Sequence, residues 1–390
     1  MNVLLIADGD TKYGASHSLF QLVKELSCLF KINIKIVMPY NSKTENELDI
    51  AVNTLYIHYT PFYQGIPENK WKFPIKYIVR GITYWCGRFW AVREVEKQLD
   101  IHDIDLIHSN SSREDLGALL ANKYNIPLIW HIREFGDRDY RCYSYRKNYV
   151  DYMNRSAYRF IAVSDAVKTH WIKKGIQQKK IDCIYNGVSQ QGITVKSNDT
   201  IRREDKHLRM VIVGCVSKTK GQIWAIEAVK KLADEKKYIA LDIIGDGASQ
   251  YIKELKSKVK RYGLQDLITF KGYLKNPGEQ LAQYDIGLMC SKDEGFGRVT
   301  VEYMMAGICA IASDTGANSE LIENGKSGLI YQYGNTGSLA NVIKKCIDNP
   351  QYRVELAKCG YIRATQEFTA KKNAIQIYDI YKNVLEHIEP

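Results

Sequence analysis

No Cys-x-x-Cys pair occurs in this chain, and its nine cysteines, at positions 28, 86, 142, 183, 215, 290, 309, 346 and 359, are scattered and odd in number. That excludes a regular disulfide framework and offers no cysteine-based metal cluster. Several lie in apolar runs, Cys290 and Cys309 among them, as buried thiols of a reducing compartment do. No run of about 18 apolar residues is present, so no transmembrane helix is expected. The start Met1-Asn2-Val3-Leu4-Leu5-Ile6-Ala7 has no basic residue and too short an apolar run for a signal peptide. It reads as a first β-strand, and the protein as cytoplasmic. There is no repeat at a fixed period and no low-complexity tract. The first glycine-bearing loop, Asp8-Gly9-Asp10-Thr11-Lys12-Tyr13-Gly14-Ala15, lacks the G-x-G-x-x-G fingerprint, which argues against a dinucleotide oxidoreductase.

What is present points to two domains. The chain has 390 residues, with 45% hydrophobic and 25% charged, and a net charge of +11. That length suits two cores of roughly 150 to 200 residues each. The positive excess points to an anionic partner: ligand phosphates, a membrane surface or nucleic acid. Short apolar runs alternate with helical patterns in both halves. Runs such as Val3–Ala7, Ile34–Met38, Leu106–His108, Leu128–His131 and Phe160–Val163 are followed by Arg209–Gly214, Ala240–Ile244, Ile286–Met289 and Ala310–Ala312. Helical segments fall between them, such as Ser18–Phe30, Ile223–Ala233, Tyr251–Tyr262 and Val299–Ala306. Continuous apolar strands between helices mean parallel sheets covered on both faces. The fold class is therefore α/β, with two doubly wound Rossmann-like domains. The expected boundaries are 1–190 for the first domain, 191–206 for a polar linker and 207–369 for the second. A helical tail, 370–390, is expected to pack back on the first domain.

The densest chemistry lies in Glu294-Gly295-Phe296-Gly297-Arg298-Val299-Thr300-Val301-Glu302. Two carboxylates bracket a glycine-bearing strand-exit loop and the first turn of a helix. Carboxylates accept hydrogen bonds from sugar or ribose hydroxyls, and the amides at Gly297, Arg298 and Val299 can receive phosphate. Glu302 falls about 6 Å beyond that helix start, at 1.5 Å per residue. This offset matches a pyrophosphate and its ribose. Two solvated surface glutamates would be the plain alternative; the two glycines weigh against it. A second loop, Gly214 to Gln222, carries Lys218 and Lys220 just before a helix and lacks the Walker ending. Gly245, in Gly245-Asp246-Gly247, suits a turn and can also give a ligand room. In the first half His108, Asn110, His131 and Glu134 follow strands, as sugar-binding, basic or plain structural groups. The segment Trp71–Arg93 interleaves aromatics with Lys72, Lys76, Arg80 and Arg88. It suits a membrane interface, or a helix packed on its own domain with basic edges. With no recognition module, nucleic acid is not an expected partner.

Together these residues resemble family 4 of the retaining glycosyltransferases, of two-domain GT-B architecture with the domains facing across a cleft. The resemblance rests on the Glu294-x7-Glu302 run, Val213-Gly214 with Lys220-Gly221, Ile244-Gly245-Asp246-Gly247, Ile184-Tyr185-Asn186-Gly187-Val188 and Asn324-Gly325-Lys326-Ser327-Gly328-Leu329. It implies a nucleoside-diphosphate sugar, most often a UDP-sugar, on the second domain and a glycan acceptor on the first. Glu302 would hold the ribose and Glu294 the transferred sugar. Lys220 and the Gly297–Val299 amides would hold the diphosphate, with no metal and no cofactor. His131 matches a histidine near the donor sugar, and Gly14 and Ala15 match a loop under the donor phosphates. One departure stands out: Gly214-Cys215-Val216 replaces the Gly-Arg-Leu of many members. The diphosphate arginine is missing, and Lys218 or Arg298 are the candidates to replace it.

The expected reaction is transfer of a hexose or N-acetylhexosamine to an acceptor hydroxyl with retention, in cell-surface polysaccharide biosynthesis. The acceptor would be a glycan, lipid-linked, and the enzyme peripheral at the inner membrane face. A nucleotide-sugar epimerase on the same architecture and a non-catalytic nucleotide-sugar or glycan-binding partner are the rival readings.

Overall fold

The apolar runs become the strands of two parallel sheets. The computed structural model describes residues 1–7, 14–40, 52–65, 73–136, 142–196, 208–237 and 239–387. Its contacts divide the chain into two compact units, Met1–Gly187 with Ala370–Pro390, and Val188–Thr369.

In the first unit the order is β1 (Asn2–Ile6), α1 (Gly14–Leu29), β2 (Asn33–Pro39), β3 (Asn53–Ile57), β4 (Tyr63–Gly65), α2 (Phe73–Gln98), β5 (Leu106–Ser109) and α3 (Leu116–Tyr124). It continues with β6 (Leu128–Ile132), β7 (Cys142–Ser144), α4 (Tyr149–Ser156), β8 (Arg159–Ala162), α5 (Asp165–Lys173) and β9 (Ile181–Cys183). Seven strands form a sheet in the order β3-β2-β1-β5-β6-β8-β9, every pairing parallel, while β4 and β7 pair antiparallel.

The second unit runs β10 (Leu208–Val213), α6 (Gln222–Asp234), β11 (Ile239–Ile244), α7 (Ser249–Arg261), β12 (Ile268–Gly272), β13 (Ile286–Met289) and α8 (Arg298–Met305). Then come β14 (Cys309–Ser313), α9 (Asn318–Leu321), β15 (Leu329–Tyr331), α10 (Thr336–Asp348) and α11 (Pro350–Glu367). Its six strands pair in parallel as β12-β11-β10-β13-β14-β15. Strands β5, β6, β13 and β14 are buried at every position, which is why they read as unbroken apolar runs rather than alternating ones.

In both sheets the order reverses next to the first strand, between β1 and β5 and between β10 and β13. Such reversals open a crevice at the carboxyl ends of the strands, where ligands bind in folds of this kind.

The linker reading changes. The chain segment read as linker is part of the second unit up to residue 196. There Thr194 N–H donates to Gly278 O at 3.2 Å and Lys196 Nζ to Asp285 Oδ1 at 2.7 Å. Residues 197–207 lie outside the described part. The last helix, α12 (Ala370–Glu386), belongs to the first unit. Its Ala374, Ile377, Tyr381 and Val384 enter one core with Val3, Leu5, Leu19 and Val23, and Tyr378 stacks on Phe30 with ring centroids 3.7 Å apart. Cys290, Cys309 and Cys346 are buried free thiols, whereas Cys28, Cys86 and Cys215 are exposed.

Candidate functional site

The Glu294–Glu302 run is held between two neighbouring loops of the second unit. Gly297 starts α8 from the left-handed region, at φ +92°, and a β-carbon there would press on Leu321 and Asn318. Gly316, at φ +61°, lets the next loop approach so closely that a β-carbon would lie 2.3 Å from the Glu294 carbonyl. Ala317 N–H donates to that same oxygen at 2.9 Å. On the other side, Lys292 N–H donates to Thr219 O at 2.9 Å, and Gly221 admits the Cys290 carbonyl.

The loop after β10 is thereby tied to the loop after β13, and Lys220 Nζ reaches Glu294 Oε2 at 2.8 Å. One turn into α8, Arg298 Nε donates to Glu302 Oε1 at 2.8 Å. Each motif carboxylate therefore holds one cation. The amides of Arg298 and Val299 fall in the first turn of α8, where helices leave N–H groups without intrahelical acceptors. Lys218 is exposed on the short turn Lys218–Lys220, beside exposed Cys215.

At Gly245 a β-carbon would fall 1.9 Å from the Gly214 carbonyl, and Val216 N–H donates to Asp246 O at 2.8 Å. The glycine lets two loops pack backbone to backbone. Tyr303 was not singled out from the sequence. It is fully buried over Gly287, whose β-carbon would lie 2.2 Å from its ring, and its hydroxyl accepts from Val213 N–H at 2.8 Å. The one sequence signal for it is the glycine inside strand β13.

In the first unit, His108 on β5 and His131 on β6 are both fully buried and side by side, with His108 Nε2 3.2 Å from His131 Nδ1. His108 Nδ1 meets Tyr381 Oη at 2.5 Å. Burial and the Arg133 guanidinium push His108 down to about 3 and His131 well below the ordinary imidazole range, so both rings are neutral. His131 Nε2 is buried with no hydrogen-bond partner among the described residues.

Asn110 and Glu134 have structural partners here. Asn110 Oδ1 accepts from Arg133 Nε at 2.7 Å. Glu134 Oε1 accepts from Ser111 Oγ, Ser112 Oγ and Ser112 N–H at 2.7 to 2.9 Å, which fixes the loop after β5. Gly14 and Ala15 begin α1, with Gly14 exposed and its carbonyl accepting from Ser18 Oγ. Residues 8–13 of that loop lie outside the described part.

The basic aromatic segment forms α2. Tyr84, Ala91 and Val95 face inward, while Ile75, Ile78, Val79, Ile82, Trp85, Phe89 and Trp90 are exposed. Lys76 and Arg80 are exposed with them. Arg88 is half-buried, with its guanidinium 4.4 Å over the ring of exposed Trp85. Trp71 and Lys72 lie outside the described residues. No described helix is long and apolar enough to cross a membrane.

Two family models match the chain. Residues 196–363 match glycosyl transferases group 1, and residues 53–191 match glycosyltransferase family 4. An uncharacterized glycosyltransferase of Methanocaldococcus jannaschii is 24% identical over 332 residues, 83% of this chain and 88% of that one. The Escherichia coli O-antigen biosynthesis glycosyltransferase WclY is 24% identical over 313 residues, 76% of this chain and 85% of WclY. Several other curated relatives are matched over about half of their length. Among solved structures, HepE of Anabaena in complex with UDP superposes with a TM-score of 0.77 at 21% identity, covering 98% of this chain and 100% of HepE. With two parallel-sheet units of this topology and family models over both, the chain belongs to the GT-B glycosyltransferases of the family 4 type.

Proposed function

We propose that this glycosyltransferase moves a hexose or N-acetylhexosamine from a UDP-sugar to a hydroxyl of a growing glycan, with retention at the anomeric carbon. The observation that carries this reading is the pair of carboxylate–cation contacts around the start of α8, Lys220 with Glu294 and Arg298 with Glu302. The set offers hydroxyl acceptors and diphosphate donors in one linear run. In the reaction, the bond from the anomeric carbon to the diphosphate oxygen breaks and a bond to the acceptor oxygen forms on the same face. The acceptor's proton passes to the departing diphosphate. Leaving-group stabilisation is then the main protein contribution, and it falls to Lys220, the α8 amides, and Lys218 or Arg298 in place of the absent arginine at Cys215. These cations supply charge that a divalent ion supplies in other enzymes, so the activity should survive chelation.

HepE has been solved with UDP-glucose, and WclY takes its name from O-antigen biosynthesis. Both favour a UDP-sugar and a surface-polysaccharide acceptor. The exposed apolar and basic residues of α2 suit a lipid-linked acceptor at an anionic membrane face. A panel of nucleotide sugars, read by thermal stabilisation and slow hydrolysis, tests the donor. Product NMR then reads the anomeric configuration. Equal response to every nucleotide, or none to UDP-sugars, overturns the reading.

A further inference from the structure

His131 is joined to a chain of rings that ends on the C-terminal helix. Tyr381 Oη lies 2.5 Å from His108 Nδ1, and His108 Nε2 lies 3.2 Å from His131 Nδ1. All three side chains are fully buried. Taken alone, the chain allows two proton arrangements, running in opposite directions.

Arg133 selects between them. Its Nη2 faces His131 Nδ1 at 3.5 Å, and a guanidinium can only donate. Nδ1 of His131 must therefore present its lone pair. An N–H at that position would point at a cation's own N–H. Arg133 is held in place, with Nε donating to Asn110 Oδ1 at 2.7 Å and Nη1 to Asn186 Oδ1 at 2.6 Å. The rest follows ring by ring. His108 Nε2–H donates to His131 Nδ1, and His108 Nδ1 accepts the phenolic proton of Tyr381. A neutral imidazole carries one proton, so that of His131 sits on Nε2, the atom with no partner among the described residues.

We propose that Arg133, His108 and Tyr381 are positioning residues that lock His131 as an Nε2–H donor to a sugar hydroxyl of the substrate. In that form Nε2 has no lone pair, so His131 does not act as a general base. The inference rests on the sugar-transfer reading for its substrate, and on the hydrogen-bond geometry alone for its tautomer.

The test is ¹⁵N-histidine NMR of the full chain at pH 7.5, with long-range couplings that identify the protonated ring nitrogen. His131 is assigned by the loss of its signals in His131→Gln. The expected wild-type spectrum shows a neutral ring protonated at Nε2. A ring protonated at Nδ1, or an imidazolium, overturns the proposal, whatever the enzyme turns over. Tyr381→Phe keeps the ring and removes the hydroxyl. It removes the donor to His108 Nδ1 while Arg133 still imposes the Nε2–H form, so the His131 tautomer should be retained, and the loosened ring should lower kcat on UDP-glucose about tenfold, the size of one lost hydrogen bond, with UDP affinity within twofold of wild type. A switch to the Nδ1–H form, or an unchanged kcat, overturns it. His108→Gln keeps an N–H facing His131 and should retain the Nε2–H form; conversion to Nδ1–H overturns it. Should Tyr381→Phe not fold, the wild-type spectrum and His108→Gln decide the matter. A chain that shows the expected tautomer but responds to no UDP-sugar refutes the function and leaves the tautomer standing.

Discussion

Lys220→Met separates two tasks of a single ammonium group. In the folded chain its Nζ rests 2.8 Å from Glu294 Oε2, with 37% of the lysine side chain and 16% of the glutamate exposed. An ion pair so open to water contributes about 0–1 kcal/mol to stability. The unfolding midpoint should therefore fall by no more than about 4 °C. The effect on diphosphate binding should be larger. A hydrogen bond to a charged group is worth about 1.5–3 kcal/mol, roughly a 10- to 150-fold rise in the Kd for UDP. Titration calorimetry with UDP measures it directly, and the loss should shrink as salt screens the wild-type attraction. Glu294→Gln should behave in the opposite way. It removes the competitor for the ammonium, so UDP affinity should hold or rise while sugar turnover falls. If Lys220→Met binds UDP within twofold of wild type, or Glu294→Gln weakens UDP as much as Lys220→Met does, the division of labour is wrong.

Gly287→Ala should cost about 1–3 kcal/mol through overpacking, because its new methyl would lie 2.2 Å from the Tyr303 ring; denaturant unfolding reads the loss. The two buried histidines make stability depend on pH. Their pKa values are lower in the folded chain than in the unfolded one, so their contribution is complete above about pH 6.5 and is lost as pH falls below it, for His108 down to about 3. His108 alone should remove about 2 kcal/mol by pH 5; urea midpoints at pH 7.5 and 5 measure the drop, which His108→Gln should flatten. Replacing Lys76 and Arg80 by Glu should reduce co-sedimentation with anionic liposomes at least about tenfold, from roughly 1 kcal/mol per basic residue; unchanged binding would remove α2 from the membrane reading.

The parts of this molecule that follow local rules were legible in its sequence. Unbroken apolar runs marked strands such as β13 and β14 because burial on both faces leaves no polar position. The Glu294–Glu302 run announced a strand, loop and helix start, and the structure brings Lys220 to it from the neighbouring loop. What stayed hidden depends on distant partners. Nothing near Glu294 shows that Gly316 and Ala317 hold its backbone, and nothing near Glu134 shows that two serines occupy its carboxylate. For Gly245 the sequence left a turn and room for a ligand side by side, because a glycine pattern does not reveal what approaches it; here it is the Gly214 carbonyl. Strands of three residues, such as β9 and β15, are too short to register as a period.

The return of α12 to the first unit has a kinetic consequence during synthesis. All seven strands of the first sheet have left the ribosome once Cys183 has emerged, yet the core they line still lacks Ala374, Ile377, Tyr381 and Val384. Those residues arrive only after the whole of Val188–Thr369 has been translated. At about 5–20 residues per second, the wait is roughly 10 to 40 s. For that interval the face of Leu5, Leu19 and Val23 stands open to water, as does the site of the missing Tyr381 beside His108. The second unit can finish its own sheet in the meantime, so the first half of this polypeptide is the last to be completed. Nascent chains stalled before residue 370 should therefore engage chaperones through their amino-terminal half.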